Sequence, residues 1–185
     1  MRSFIAIDLD ENIKNSLTEL VKVLKPAGQN IKWVARENFH LTLKFLGEIN
    51  EAQAETVKQS LIQLSHKHRP FSLLLKGTGS FPPGQSRMRV IWVGIEAEPE
   101  LFNLQKELEE ELERKGFPRE ERPFSPHLTL GRAKVPEKQE RLKKELEKFS
   151  AQNFGQMTVK EIIFFQSILR PEGPIYKPID RFELA

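Results

Sequence analysis

Apolar residues along this chain switch repeatedly between a two-residue and a helical spacing. Residues 4–9 (Phe4-Ile5-Ala6-Ile7-Asp8-Leu9) form a short apolar run that predicts a strand. Asp10 is placed to cap a helix whose stripe is Ile13, Leu17, Leu20, Val21 and Leu24, and Pro26 ends it. After a polar turn through Gly28, residues 31–34 read as a short extended piece, and alternation returns in His40-Leu41-Thr42-Leu43, continuing to Gly47. Asn50 opens a second helix with Ala54, Val57, Leu61 and Leu64 on one side, and residues 71–76 return as a strand. Residues 77–84, rich in glycine and proline, predict a loop and a lobe boundary. They lack both the lysine-threonine pair and the GxGxxG spacing of phosphate-cradling loops.

The order then restarts. Residues 90–95 predict a strand, and Pro99 begins a helix carrying Leu101, Leu104, Leu108 and Leu112, closed by Lys115 and Gly116. The phrase His127-Leu128-Thr129-Leu130 repeats the earlier one, a helix with Leu142, Leu146 and Phe149 follows Pro136, and a last long strand is expected over 157–165. Both halves thus read strand, helix, HLTL strand, helix, strand. Asp8 precedes His40 by 32 residues, and Glu96, in the position taken as equivalent, precedes His127 by 31. The expected architecture is α+β and bilobal: two pseudo-symmetric lobes with mainly antiparallel sheets facing a central cleft, helices outside. One domain spans 1–185, with approximate halves 1–85 and 86–185.

Composition narrows the chemistry. The 185 residues are 38% hydrophobic and 30% charged, as in a soluble globular protein, and no apolar run approaches the roughly 18 residues of a membrane span. The apolar N-terminal stretch is too short for a signal-peptide core and is interrupted by Asp8. The absence of cysteine removes disulfides and thiolate metal sites and points to a cytoplasmic location. A net charge of +3, from 29 basic and 26 acidic residues, suits a polyanionic partner without requiring one.

On a strand, each HLTL phrase puts histidine and threonine on one face, about 7 Å apart, and its leucines on the other. Two such strands facing each other surround a small anion with two imidazoles and two hydroxyls. Imidazole both takes and gives protons near neutrality, so two of them on opposite sides of phosphorus can divide an in-line displacement. Thr42 and Thr129 can hydrogen-bond the non-bridging oxygens. Arg132 can strengthen that grip, depending on how its strand ends. His66 and His68 read as a solvated basic helix terminus. Two histidines without a repeated carboxylate make a poor metal site, and no oriented third group supports threonine as a nucleophile.

These residues resemble the two-histidine phosphoesterases, whose signature is a pair of His-x-Thr-x motifs, and among them the RNA 2′,3′-cyclic phosphodiesterases, also described as 2′-5′ RNA ligase-like. The resemblance extends from Arg2-Ser3-Phe4-Ile5-Ala6-Ile7 through residues 38–47, Trp92-Val93-Gly94 and residues 126–132 to Gln166-Ser167, Gly173 and Tyr176. Gly131 stands where many relatives have alanine. The resemblance implies metal-independent hydrolysis of an RNA 2′,3′-cyclic phosphate end to a 2′-phosphomonoester. His40 is then the proton donor and His127 the acceptor, roles that the sequence does not assign independently. Thr42, Thr129 and Arg132 become substrate ligands. Phe45 and Phe81 are candidates for stacking on the terminal base, with core packing the competing explanation for each. No cofactor or metal is implied. The expected partner is an RNA with a cyclic phosphate end, tRNA fragments included, with no membrane association and a monomer as the default. The alternatives are 2′-5′ ligation of cyclic-phosphate and 5′-hydroxyl ends, or RNA binding without catalysis.

Overall fold

The strand β1 (Arg2–Asp8) is apolar at consecutive positions because both of its faces are covered: Ile5 and Ile7 enter the main core, while Phe4 and Ala6 form a smaller cluster with Ile163 and Phe165. The computed structural model describes residues 1–185. After β1 come α1 (Glu11–Leu24), β2 (Ile31–Trp33), β3 (His40–Glu48), α2 (Glu51–Ser65), β4 (Phe71–Phe81) and β5 (Val90–Ala97). Then follow α3 (Pro99–Arg114), β6 (His127–Ala133), α4 (Glu140–Lys148), β7 (Asn153–Val159), β8 (Glu161–Ile168) and β9 (Ile175–Glu183). One sheet has the order β3-β1-β8-β9 and the other β2-β6-β5-β4-β7, and every ladder is antiparallel. The expected α+β fold of two antiparallel sheets is what the chain forms.

The helices follow their stripes. All five apolar positions named for α1 are buried, and a single 3₁₀ turn through Pro26 ends it. Asn50 caps α2 reciprocally with Gln53. Asp10 occupies the N-cap position of α1 but makes no capping bond with its side chain. His68 is buried rather than solvated: Nε2 lies 2.8 Å from Glu107 on α3, tying the end of α2 to its neighbour. No helix is long and apolar enough to cross a membrane.

The sheets do not divide at residue 85. Strands β2 and β4 belong with β5, β6 and β7, whereas β8 and β9 return to complete the sheet begun by β1 and β3. The expected long strand over 157–165 is in fact two, separated at Lys160, so the chain crosses between sheets in one residue. The 77–84 stretch is likewise not all loop, since β4 continues to Phe81. Gly77 (φ +76°) absorbs a bulge against β5, and Gly79 lies beneath the Trp92 indole, where a Cβ would stand 2.3 Å from the ring. Close approach, not turning, accounts for these two glycines.

One buried ion pair ties the parts around the cleft. Lys44 Nζ on β3 donates to both carboxylate oxygens of Glu109 on α3 (3.0 Å each) and to the Pro118 carbonyl (2.9 Å). The Glu120 amide also donates to Glu109. With both side chains almost fully buried, the carboxylate and ammonium satisfy each other and fix the segment leading from α3 to β6.

Candidate active site

The leucines of the two phrases anchor their strands. Leu41, Leu43, Leu128 and Leu130 are 3% exposed or less, and each contributes roughly 1.5–3 kcal/mol by burial. His40, Thr42, His127 and Thr129 face the other way. Each strand then bulges at the same place: Thr42 pairs with Ala6 but Lys44 with Ile5, and Thr129 pairs with Trp92 but Gly131 with Ile91. The skipped residue breaks the two-residue alternation and returns the fifth position after each histidine, Phe45 and Arg132, to the cleft side. Gly131 takes the place corresponding to Lys44. There β2 closes over it, and a Cβ would come within 2.9 Å of the Ile31 side chain and 3.1 Å of Trp33.

Both imidazoles are held by the main chain two residues before them. His40 Nδ1 lies 2.6 Å from the Asn38 carbonyl, and His127 Nδ1 lies 2.8 Å from that of Ser125. A carbonyl only accepts, so each Nδ1 carries the proton and each Nε2 is left for chemistry. The surroundings of the two rings differ. His40 packs on Phe4 (5.0 Å between centroids) and meets the Tyr176 edge (5.0 Å), and its Nε2 accepts from the Thr42 hydroxyl at 2.8 Å. Burial pushes its proton affinity below the usual value for histidine; the Asn38 carbonyl and Asp8 pull the other way, and Lys14 adds to the depression. His127 packs against Phe81 (5.3 Å) and Trp92 (6.5 Å).

All six residues singled out from sequence (His40, Thr42, Phe45, His127, Thr129 and Arg132) line one cleft of about 610 Å³. The backbones of β3 and β6 approach within 8 Å between Cα atoms. Phe45 is 66% exposed, so core packing does not explain it, whereas Phe81 is engaged with His127 and Trp92. Arg2, Arg122 and Arg132 also line the cleft, and none of the three guanidiniums has a carboxylate partner. Burial raises the Tyr176 phenol above its ordinary value, with Arg132 and Arg2 opposing. Those two cations therefore lie near enough to Tyr176 to act on its phenol.

Several lining residues escaped the sequence reading as functional positions: Arg2, Asn38, Arg122, Phe124 and Ser125. The matching carbonyls of Asn38 and Ser125 had a findable signal, since each precedes its histidine by two. Arg2 lies in a stretch that carries the family resemblance but was given no role there, and Arg122 had no signal. A larger hollow of about 1020 Å³ lies between residues 7–10 and 156–161, but it has no histidine and no arginine. Chemistry, not volume, selects the smaller cleft. No cluster of three or more His, Cys, Asp or Glu side chains is arranged to hold a metal ion. The site can hold an anion among guanidiniums and hydroxyls and present two Nε2 atoms to it.

Known proteins similar to this chain are numerous. The family described as LigT like Phosphoesterase matches twice, over residues 7–92 and 93–176. An RNA 2′,3′-cyclic phosphodiesterase of Methanocaldococcus jannaschii is 40% identical over 97% of this chain and 98% of its own length. Another, of Methanothermobacter thermautotrophicus, is 36% identical over 100% and 99%. Among solved structures, a Thermus thermophilus protein superimposes with a TM-score of 0.85 at 30% identity, covering 100% of this chain and 98% of that one. E. coli LigT complexed with 3′-AMP gives 0.79 at 27% identity, covering 99% and 97%.

Proposed function

The chain belongs to the LigT-like phosphoesterases, and from that premise we propose that it hydrolyses RNA 2′,3′-cyclic phosphate ends to 2′-phosphomonoesters without a metal. The observation that carries the reading is the pair of His-x-Thr strands, each followed by the same bulge, that present two Nε2 atoms to one arginine-lined cleft. In the reaction, His127 Nε2 takes a proton from water as its oxygen bonds to phosphorus. The bond from phosphorus to the 3′ oxygen breaks, and His40 gives that oxygen its proton. Thr42, Thr129 and Arg132 hold the non-bridging oxygens as charge gathers on them, and Phe45 stacks on the terminal base.

The donor role must be reconciled with His40's environment. In the protein alone, burial favours neutral His40, whose Nε2 accepts from Thr42. A phosphate anion alongside reverses that balance: its charge raises the proton affinity of His40 and offers the Thr42 hydroxyl a new acceptor. The acid is thereby loaded with the substrate. Both halves of the cleft come from a single chain, which supports a monomeric enzyme.

The test is a short RNA ending in 2′,3′-cyclic phosphate, incubated with EDTA-treated protein and the products separated. A 2′-phosphate formed without added metal is expected. A 3′-phosphate product, or activity restored only by a divalent cation, would sink the reading.

A further inference from the structure

Phe102 and Phe124 form an aromatic pair at the rim of the cleft, and nothing in the chemistry at phosphorus uses them. Their rings meet edge to face at 6.1 Å; Phe124 lines the cleft, and Phe102 is 43% exposed. Phe124 is half-buried against the main core, but core packing does not account for the exposed Phe102 ring. Phe102 lies one turn before Gln105, another cleft-lining residue, and two turns before Glu109, so all three follow one edge of α3. The segment bearing Phe124 is not slack, because the buried Lys44–Glu109 pair holds Pro118 and Glu120 in place just ahead of it. Arg122, two residues before Phe124, turns an unpaired guanidinium to the same cleft. Of the exposed large apolar side chains, Phe45 lines the cleft and Phe102 meets its lining through Phe124, whereas Val23, Ile62 and Val135 are not among the lining residues.

We propose that this pair stacks a nucleobase one nucleotide upstream of the cyclic phosphate, with Arg122 on the intervening phosphodiester, so that the enzyme recognises an RNA strand rather than a lone cyclic nucleotide. The proposal rests on the phosphodiesterase reading. Stacking on aromatic rings tolerates any base, and a guanidinium neutralises backbone phosphate irrespective of sequence. The preference created is therefore for length, not for a particular sequence. Continuity with the arginine-lined cleft favours a nucleic acid strand over a protein segment here.

The experiment compares kcat/KM for adenosine 2′,3′-cyclic phosphate with that for a trinucleotide ending in the same group. Wild type is expected to favour the trinucleotide by about tenfold or more, mostly through KM, as loss of a stacked base and a phosphate contact would require. In Phe102→Ala the ratio falls about fivefold or more, and in Phe102→Trp, which keeps a ring, it is retained. Equal kcat/KM for the two substrates in wild type, or an unchanged ratio in Phe102→Ala, overturns the proposal and leaves the phosphodiesterase reading intact. Failure to turn over either substrate overturns both.

Discussion

His40 sits opposite Asp8 across the β1–β3 ladder, whereas the residue opposite His127 across β5–β6 is Gly94. No side chain fits at Gly94, because a Cβ there would stand 2.6 Å from the Lys76 carbonyl. The equivalence expected between Asp8 and Glu96 is therefore off by two residues, and Glu96 instead pairs with Leu74. One histidine has a carboxylate nearby and an aromatic enclosure; the other has a ring wall alone. Because burial outweighs Asp8 and the Asn38 carbonyl, His40 in the free protein should titrate below the ordinary histidine value near 6.5. Addition of a nucleoside 2′-phosphate should move it upward. Imidazole NMR titrations report both, and a free-state value at or above 6.5 would refute the desolvation argument. Arg132, with no carboxylate to leave, is available to the anion. Arg132→Met should raise KM by about 10- to 100-fold, as for a lost hydrogen bond to a charged group, and Arg132→Lys should restore only part because a point charge replaces a fork.

At the scale of the strand, the paired bulges decide what reaches the cleft. A plain count of alternation from His127 sends Arg132 to the wrong face, and the same count misplaces Phe45. The hydrophobic pattern carries no mark of a bulge, so alternation made the histidine and threonine positions legible, while Arg132 and Phe45 were singled out by nearness to the motifs and by the family resemblance. Gly131 is the visible trace of the bulge on β6, forced by the closeness of β2. Gly131→Ala should destabilise the protein by about 1–3 kcal/mol, the usual range for overpacking. Thermal melts should show the drop, and an unchanged melting temperature would mean that β2 yields freely. The 77–81 segment misled for a related reason: glycine density signals turns, but here Gly77 and Gly79 make room for Ser150 and Trp92 inside a strand.

Across the whole molecule, the sequence showed the repeated element order but not which strands share a sheet. Lys160 alone separates β7 from β8, and the charged pair Lys160-Glu161 that interrupts the apolar residues there is equally compatible with one continuous strand, so it does not reveal that the chain changes sheets. Strand β9 was missed because it is a polar edge strand containing Pro178. The Lys44–Glu109 pair was equally hidden, since its partners are 65 residues apart. Breaking it with Lys44→Met should cost about 3–5 kcal/mol by stranding a buried carboxylate, and adding Glu109→Leu should recover much of the loss. Denaturant unfolding of the single and double variants checks this, and equal stability of all three proteins would deny the pair its structural role.

The central claim is that one proton is taken and one given by two histidines on opposite sides of one phosphate. It is tested most directly by single-turnover rates against pH for wild type, His40→Ala and His127→Ala on an RNA with a 2′,3′-cyclic phosphate end. The wild-type profile should be bell-shaped. His40→Ala should lose the alkaline limb, because the donor that must stay protonated is gone, and His127→Ala the acid limb, because the base that must be free is gone. Near-normal rates in either variant, or a bell that survives both substitutions, would contradict the account.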